Sequence, residues 1–417
     1  MAQLEPRIVV LTTLFPHTGQ PTAGLFIRER MFRVARLLPL TVVAPVPWFP
    51  LQGLLRKWKP HFRPPAPALE MQEGIAVRRP RFLSVPSAFK WLDGFCIAAG
   101  CFPTLLRLKR DFGCNLIDAH FAYPEGYAAT LLGRWLRIPV CITLRGTEVP
   151  LARDPRRRRR MIKAMQNATR VFAVSDSLKR HAMSLGIAGD KILVVGNGVD
   201  TVKFHRLDRR AAREKLGLPT DAPVLVSVGA LVERKGFHRV FECLLALRRR
   251  FPGLRYLIAG GAGPEGDWSG RLRSSVIDLG LQDCVVFLGT LAQQELNLPL
   301  SAADVFVLAT RNEGWANVFL EAMACGLPVV TTEVGGNAEV VAHATLGILV
   351  PFEQPERLTH AIADALVREW NRDAIVAYAE SNSWERRVRT LAEEFVAITM
   401  HDAEADVRPQ GSPLMRS

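Results

Sequence analysis

The sequence predicts an α/β protein made of two doubly wound domains, each a parallel sheet covered by helices. Short β-branched runs alternate with helical stretches along nearly the whole chain. The runs are continuously apolar rather than alternating, as strands buried on both faces of a parallel sheet must be. The alternation falls into two series, separated by an irregular stretch at residues 196–208. A length of 417 residues suits two or three domains.

The first series opens with a strand at Arg7-Ile-Val-Val-Leu-Thr12, a loop rich in Pro and Gly, and a helix from about Leu25. Further strands are expected at 40–44, 115–120, 139–144, 170–175 and 191–195, with helices such as Tyr123 to Leu136 between them. The series ends at Gly196-Asn-Gly-Val-Asp200. The second begins with Pro223-Val-Leu-Val-Ser-Val-Gly229 and continues with strands at 254–259, 284–288, 304–308, 328–331 and 347–350. Long amphipathic helices follow from Pro355 to about Met400. The polar end of the chain carries Pro409 and Pro413 and reads as a disordered tail over 401–417.

Composition excludes several classes. At 48% hydrophobic and 23% charged residues the chain is neither disordered nor fibrous. The longest uncharged run, between Arg36 and Arg56, carries Pro39, Pro45, Pro47 and Pro50, and the apolar piece Phe95 to Leu106 is too short to span a bilayer. Glu5 and Arg7 precede only a brief apolar run, which does not read as a secretory signal. The seven cysteines include no C-x-x-C pair and the nine histidines no ligand-spaced pair. Reduced thiols in a cytoplasmic protein are expected, with no metal and no cofactor.

The net charge of +14 is uneven. Residues 1–205 hold 31 basic and 13 acidic side chains, and residues 206–417 hold 23 and 27. The first half should be drawn to something anionic. Arg153 to Lys163 contains five consecutive arginines, 156–160. A solvated helix start, a nucleic-acid patch and a membrane contact all fit such a run. It lacks interleaved aromatics, and no nucleic-acid-binding motif is present. Arg56, Lys57, Trp58, Lys59, Phe62 and Arg63, after Trp48-Phe-Pro-Leu51, mix basic and aromatic residues as an anionic bilayer surface favours. The expected partners therefore include such a membrane, contacted peripherally, and no nucleic acid.

The densest chemical signal is Arg311-Asn-Glu-Gly-Trp-Ala-Asn-Val-Phe-Leu-Glu-Ala-Met-Ala-Cys-Gly-Leu-Pro-Val-Val330. A strand ends, a loop carries Glu313 and Gly314, and a helix with Asn317 as its N-cap runs to Cys325. Gly326 and Pro328 stop it. Free N–H groups at this helix start would face the carboxyl edge of the sheet, where open α/β sheets bind ligands. A capped helix with two solvated glutamates is the competing reading.

The pattern Glu313-x7-Glu321, followed by Ala-Met-Ala-Cys-Gly-Leu-Pro-Val and Gly335-Gly-Asn-Ala-Glu339, resembles glycosyltransferase family 4. So do Val228-Gly-Ala-Leu-Val-Glu-Arg-Lys-Gly236, Ile258-Ala-Gly-Gly-Ala-Gly-Pro264 and Val195-Gly-Asn-Gly-Val-Asp200. Leu14-Phe-Pro16 and Gly24-Leu-Phe26 look most like the branch acting in cell-surface polysaccharide synthesis. The resemblance implies the GT-B fold: two Rossmann-like domains facing a cleft, at 1–198 and 199–382, and a C-terminal helix, 383–400, packing back on the first. It implies a retaining, metal-independent transfer of a sugar from a nucleotide sugar to a saccharide or polyprenyl-diphosphate-linked acceptor. The enzyme would be cytoplasmic, at the inner face of the membrane.

It also implies roles. Arg234 and Lys235 would neutralise the donor diphosphate, which agrees with the missing D-x-D. Glu321 would bind the ribose and Glu313 would approach the transferred sugar. Gly314, Trp315, Ala316, Asn317 and Val318 would line the donor site, with Gly24, Gly229 and Gly261 allowing close approach. His120 would be catalytic at the end of its strand, with Arg145 and Glu148 on the acceptor. A hydrolysing nucleotide-sugar epimerase of the same fold and a basic nucleic-acid-binding protein are the alternatives. A nicotinamide dehydrogenase is disfavoured, because no G-x-G-x-x-G follows Thr12.

Overall fold

The computed structural model describes all residues except 1–4, 22, 51, 59–62, 264 and 408–417. The chain divides into two compact units, residues 1–196 with 387–417, and residues 197–386.

Among its described residues unit 1 contains ten strands: β1 (Ile8–Leu11), β2 (Leu40–Val43), β3 (Val46–Trp48), β4 (Leu69–Gln72), β5 (Ile75–Arg78), β6 (Arg81–Leu83), β7 (Leu116–His120), β8 (Val140–Leu144), β9 (Arg170–Ala173) and β10 (Ile192–Val194). Eight form one sheet in the order β10-β9-β8-β7-β1-β2-β5-β4, while β3 and β6 pair separately. The sheet is parallel except for β4, which runs antiparallel to β5. Chain direction across the sheet reverses at β1 and β7, so ligands are expected at their carboxyl ends. The sequence analysis finds none of β3 to β6. They are short and only partly buried, Leu69–Gln72 alternating between exposed and half-buried, and Pro47 and Pro80 interrupt the region, so no apolar run marks them.

Unit 2 holds β11 (Val224–Val228), β12 (Arg255–Ala259), β13 (Val285–Gly289), β14 (Val305–Leu308), β15 (Val329–Thr332) and β16 (Gly347–Val350), in the order β13-β12-β11-β14-β15-β16, all parallel. Its core has two layers, one on each sheet face. Phe306 and Phe319 meet edge to face in one, Phe241 and Tyr256 in the other.

The units join two residues before the position expected from the sequence. Asn197 belongs to unit 2 because its side chain donates to Asn317 Oδ1 at 2.8 Å. Val199 pairs with the chain at Ser383 and accepts from the Trp384 N–H at 3.2 Å. A Cβ on Gly198 would lie 2.5 Å from the Trp384 nitrogen, so glycine is required there.

Two helices also differ from expectation. The last one, Trp384–Val407, runs seven residues into the expected tail, because His401-Asp-Ala-Glu-Ala-Asp-Val407 contains no breaker. The rest of that tail, 408–417, lies outside the described residues. The helix Asp93–Asp111 extends the apolar piece 95–106 at both ends. With the 3₁₀ turn before it, it is the one helix among the described residues long and apolar enough, by length and composition, to cross a membrane. Ile97, Ala98, Cys101, Leu105 and Leu108 form a buried stripe on it, and Gly100 lets it approach β6 so closely that a Cβ would meet the Arg81 carbonyl at 2.5 Å. That is the pattern of a helix covering a sheet.

From Arg387 onward the terminal helix packs in unit 1, where fully buried Phe395 meets Phe172 edge to face at 5.7 Å and Glu394 pairs with Arg170. Phe395→Ala is expected to destabilise unit 1 by about 3–5 kcal/mol, read as a lower urea midpoint for the transition of that unit.

Candidate functional site

Each sheet carries a polar cluster at the carboxyl ends of its central strands. In unit 2 the loop after β11 forms a 3₁₀ turn, Glu233–Lys235, and turns into the helix Phe237–Arg250 through Gly236. Gly236 has φ +76°, and a Cβ there would sit 1.9 Å from the Ala309 carbonyl. This contact presses the loop against the end of β14.

The result is one convergent point. Glu313 Oε1 accepts from Lys235 Nζ at 2.6 Å, from Arg234 Nη1 at 3.1 Å and from Thr310 Oγ1 at 3.2 Å. Arg234 also donates to the Asn312 carbonyl at 2.7 Å and pairs with Glu265 at 2.8 Å. Burial pushes the Glu313 carboxyl up, but Lys235 and Arg234 outweigh it and hold the group below its ordinary value. Burial opposes the Arg234 charge, and Glu265 and Glu313 together raise its pKa nonetheless. Glu313 is thus an anion held by two cations.

Gly335 completes this end of the sheet: its φ is +53°, and a Cβ would lie 1.9 Å from the Glu313 carbonyl. Gly229 and Gly260, at the ends of β11 and β12, touch each other, since a Cβ on Gly260 would lie 1.9 Å from the Gly229 carbonyl. A Cβ on Gly261 would lie 2.3 Å from the Thr290 hydroxyl. Tight packing between strand ends therefore already requires Gly260. Pro264, which closes this turn in sequence, lies outside the described residues.

The helix expected after Glu313 is Asn317–Ala324, and Glu321 lies on it, half-buried. Its N-cap is Ala316 rather than Asn317, with no side-chain cap. Asn317 is the first helical residue, and its side-chain oxygen accepts from Asn197 instead of bonding its own helix. Trp315 and Val318 pack against the core of this unit. Gly314, Ala316 and Asn317 bring the backbone to the same sheet edge as Arg234 and Lys235.

In unit 1, His120 ends β7 and is wholly buried. Its Nδ1 accepts from Arg145 Nη2 at 3.0 Å, and its Nε2 lies 3.3 Å from Asp118 Oδ2. Burial, reinforced by Arg145, lowers its pKa to about 4, so the ring is neutral at pH 7, with the Nε2 tautomer assigned from these contacts. His120 thus reaches no open surface: Arg145, stacked on Phe26 at 5.2 Å, covers it.

Glu148 is likewise engaged within the fold. It is buried, its Oε1 accepts from the Ala122 N–H at 3.1 Å, and its Oε2 accepts from the N–H groups of Arg145 and Gly146 at 3.1 and 2.7 Å. It ties together the loops after β7 and β8. Gly24 is also required by the fold: at φ +69°, a Cβ would lie 2.2 Å from the Leu14 carbonyl.

Several members of these clusters escape sequence reading. Glu125, in the turn after His120, is buried; its Oε1 accepts from the N–H of Thr13 at 3.2 Å and from its hydroxyl, and its Oε2 has no partner. Burial raises its pKa to about 7, with Glu148 adding to the shift. Arg30, fully buried, faces Asp118 and has its pKa drawn down to about 10 by burial. Thr310 and Glu265 complete the Glu313 cluster. No motif surrounds any of these. Only the position of Thr310, just past the end of β14, could have suggested it.

Two family models match the chain, "Glycosyltransferase Family 4" over residues 60–203 and "Glycosyl transferases group 1" over 208–382. The chain belongs to glycosyltransferase family 4. It is 28% identical over 368 residues, 87% of this chain and 88% of the other, to TuaC of Bacillus subtilis (strain 168), which is named as a teichuronic acid biosynthesis glycosyltransferase. It is 36% identical over 213 residues to a D-inositol 3-phosphate glycosyltransferase of Saccharomonospora viridis, a match covering 49% of each chain. Among solved structures, the Anabaena HepE complex with UDP aligns with a TM-score of 0.69 at 20% identity, over 94% of this chain and 100% of that one. Sucrose-phosphate synthase from Thermosynechococcus elongatus aligns with a TM-score of 0.68 at 21% identity, over 96% and 99%. This family 4 glycosyltransferase has the GT-B fold, two Rossmann-like units each built on a parallel sheet.

The raised Glu125 pKa has a testable consequence. The folded carboxyl keeps its proton up to about pH 7, whereas an unfolded one releases it near its ordinary value of 4.5. The stability this provides is present below pH 4.5 and is lost as pH rises through 7. Glu125→Gln should therefore gain on the wild type between pH 5 and pH 8, by up to about 3 kcal/mol, measured as the difference between their urea-unfolding free energies.

Proposed function

We propose that this glycosyltransferase moves a sugar from a nucleoside-diphosphate sugar to a saccharide or lipid-linked saccharide, with retention and without a metal ion, in the synthesis of a surface polysaccharide. The observation that carries the donor half is the meeting of Arg234 and Lys235 at one carboxylate, Glu313. Two fixed cations at the carboxyl edge of a parallel sheet can offset the charge that grows on a leaving diphosphate. A diphosphate carries more charge than one carboxylate, so its arrival draws both cations from Glu313 and frees that group beside the sugar. Backbone N–H groups from Gly314 to Val318 are suited to phosphate oxygens, and Glu321 to ribose hydroxyls. The HepE structures with UDP and with UDP-glucose support a donor of this class, and the name of TuaC supports a surface polysaccharide.

In unit 1, Arg145 must leave His120 Nδ1 before that ring can meet a ligand. A neutral imidazole released this way can hydrogen-bond a sugar hydroxyl without bringing a competing charge.

Lys235→Ala and Glu321→Ala should each lower kcat/KM for the donor by about 100-fold or more; Lys235→Ala also strips a partner from buried Glu313 and should lower the unfolding midpoint, whereas Glu321→Ala should leave it near that of the wild type. Full activity in either variant places the donor elsewhere. NMR of the product should show the anomeric configuration of the donor, and saturating EDTA should leave the rate unchanged.

The proposal extends to the inner face of the cytoplasmic membrane. The arginine run forms the start of the helix Pro155–Asn167, capped by Asp154. Arg156 and Arg160 lie over the ring of Trp91, at 5.7 and 4.7 Å, and the neighbouring Phe89 and Phe95 are exposed. Arg153, Arg158, Arg159 and Lys163 line an open groove on the same helix. Trp58 is 90% exposed, while Lys59 and Phe62 lie outside the described residues. Each basic residue at an anionic surface contributes about 1 kcal/mol. Co-sedimentation with anionic liposomes should be salt-sensitive and should fall at least tenfold when Arg156–Arg160 are changed to Gln; binding unchanged by these substitutions would sink the membrane reading.

A further inference from the structure

Unit 1 contains a cavity of about 340 Å3 beside the carboxyl ends of β1 and β2, bordered by Thr13, whose hydroxyl donates to Glu125. Trp48, Gln52, His17, Arg63, Arg79 and Arg81 give it its chemistry, and no carboxylate lines it among the described residues.

Three of these side chains are committed to the fold. Arg79 is buried, donates to the Pro16 carbonyl at 2.8 Å and pairs with Glu70 at 2.8 Å, so it forms a fixed wall. Arg63 donates to the Ser84 carbonyl at 2.9 Å and lies over Phe49. His17 Nδ1 accepts from the Gly19 N–H at 3.1 Å, and burial followed by the Arg79 charge lowers its pKa, which keeps it neutral.

The other three are not. Gln52 is 7% exposed, yet its amide oxygen has no hydrogen-bond partner. Buried polar atoms are nearly always satisfied, so an orphan on a cavity wall marks a place for a donor from outside. Trp48 lines the cavity and is 40% exposed. Arg81 is exposed and makes no side-chain hydrogen bond or ion pair among the described residues.

A partly exposed aromatic residue, an unsatisfied amide acceptor and an unpaired guanidinium, with no opposing carboxylate, suit one class of ligand. We propose that this cavity binds an anionic saccharide, with the sugar ring against Trp48, a hydroxyl donating to Gln52 Oε1 and the acid group on Arg81. Indole faces pack against the C–H face of a sugar, and a guanidinium matches the geometry of a carboxylate or phosphate. Its role, recognition of a charged acceptor, rests on the proposed glycosyl transfer. Its binding does not, and is measured with no donor present.

The test is an NMR titration of the full chain at low salt with methyl glucuronide, glucose 6-phosphate and methyl glucoside. The charged probes should bind about fivefold or more tighter than the neutral one, and comparing the two charged probes tells carboxylate from phosphate. Arg81→Ala should reduce the charged probes to the affinity of the neutral glucoside. Gln52→Leu should weaken all three alike, and UDP binding should be unchanged in both variants, which checks the fold. Equal binding of charged and neutral sugars, no binding by any probe, or a charge preference that survives Arg81→Ala would overturn the assignment. Loss of activity in Lys235→Ala with saccharide binding intact would leave both readings standing. Saccharide binding in a chain with no transfer activity would overturn the enzyme reading alone.

Discussion

The carboxylate of Glu313, held by Lys235, Arg234 and Thr310, is the interaction around which unit 2 is arranged. Two cations brought to the end of a sheet repel each other, and both lose solvation as the loop packs down. A single anion between them keeps the arrangement stable without a ligand. The backbone around it is fixed by contacts that exclude any side chain: Gly236 against Ala309 and Gly335 against Glu313. The cations are therefore presented by a rigid frame, while the counter-ion they share, Glu313, is a side chain that a more highly charged ligand can replace; Arg234 keeps Glu265 as a second partner. Such a site is preorganised for an anion and requires no backbone movement to receive one.

Unit 1 solves the same problem with opposite chemistry. Its central strand ends hold His120, Asp118, Arg145, Arg30, Glu125 and Glu148 within a buried network. Burial keeps His120 neutral, and holds Glu125 protonated up to about pH 7. Glu148 spends its acceptor capacity on backbone N–H groups. These groups shape the loops after β1, β7 and β8, and Arg145 is hydrogen-bonded to the His120 ring. The excess positive charge of this half lies elsewhere, on the helix beginning at Pro155 and around the cavity with Arg63, Arg79 and Arg81. The charge asymmetry of the sequence thus resolves into two local basic surfaces of different shape, an exposed helix flanked by aromatics and a walled pocket.

The central parallel strands were legible because burial on both faces leaves a continuous apolar run, as in Ile8–Leu11 and Val224–Val228. The strands β3 to β6 were not, since they are three or four residues long, lie at or beside the sheet edge and are only partly buried, which leaves no such run. At the site, Arg234, Lys235 and Glu313 could be picked out because motif and loop position coincide. Glu125 and Thr310 could not, because a lone Glu or Thr carries no pattern until the fold decides what lies beside it.

The sequence alone determined the two α/β halves, the family they belong to and the residues that meet at the carboxyl edge of β11 and β14. Local spacing sets these, because strand period, glycine position and adjacent charges are properties of neighbours in the chain. Only the tertiary structure decided that His120 is buried against Arg145, that Glu148 ties loops together, and that the Gln52 Oε1 and the Arg81 guanidinium have no partner among the described residues beside a cavity. Those properties depend on burial and on contacts between residues far apart in sequence: Thr13 and Glu125 lie 112 positions apart, and Lys235 and Glu313 lie 78 apart. Desolvation and long-range pairing act only once the chain has folded.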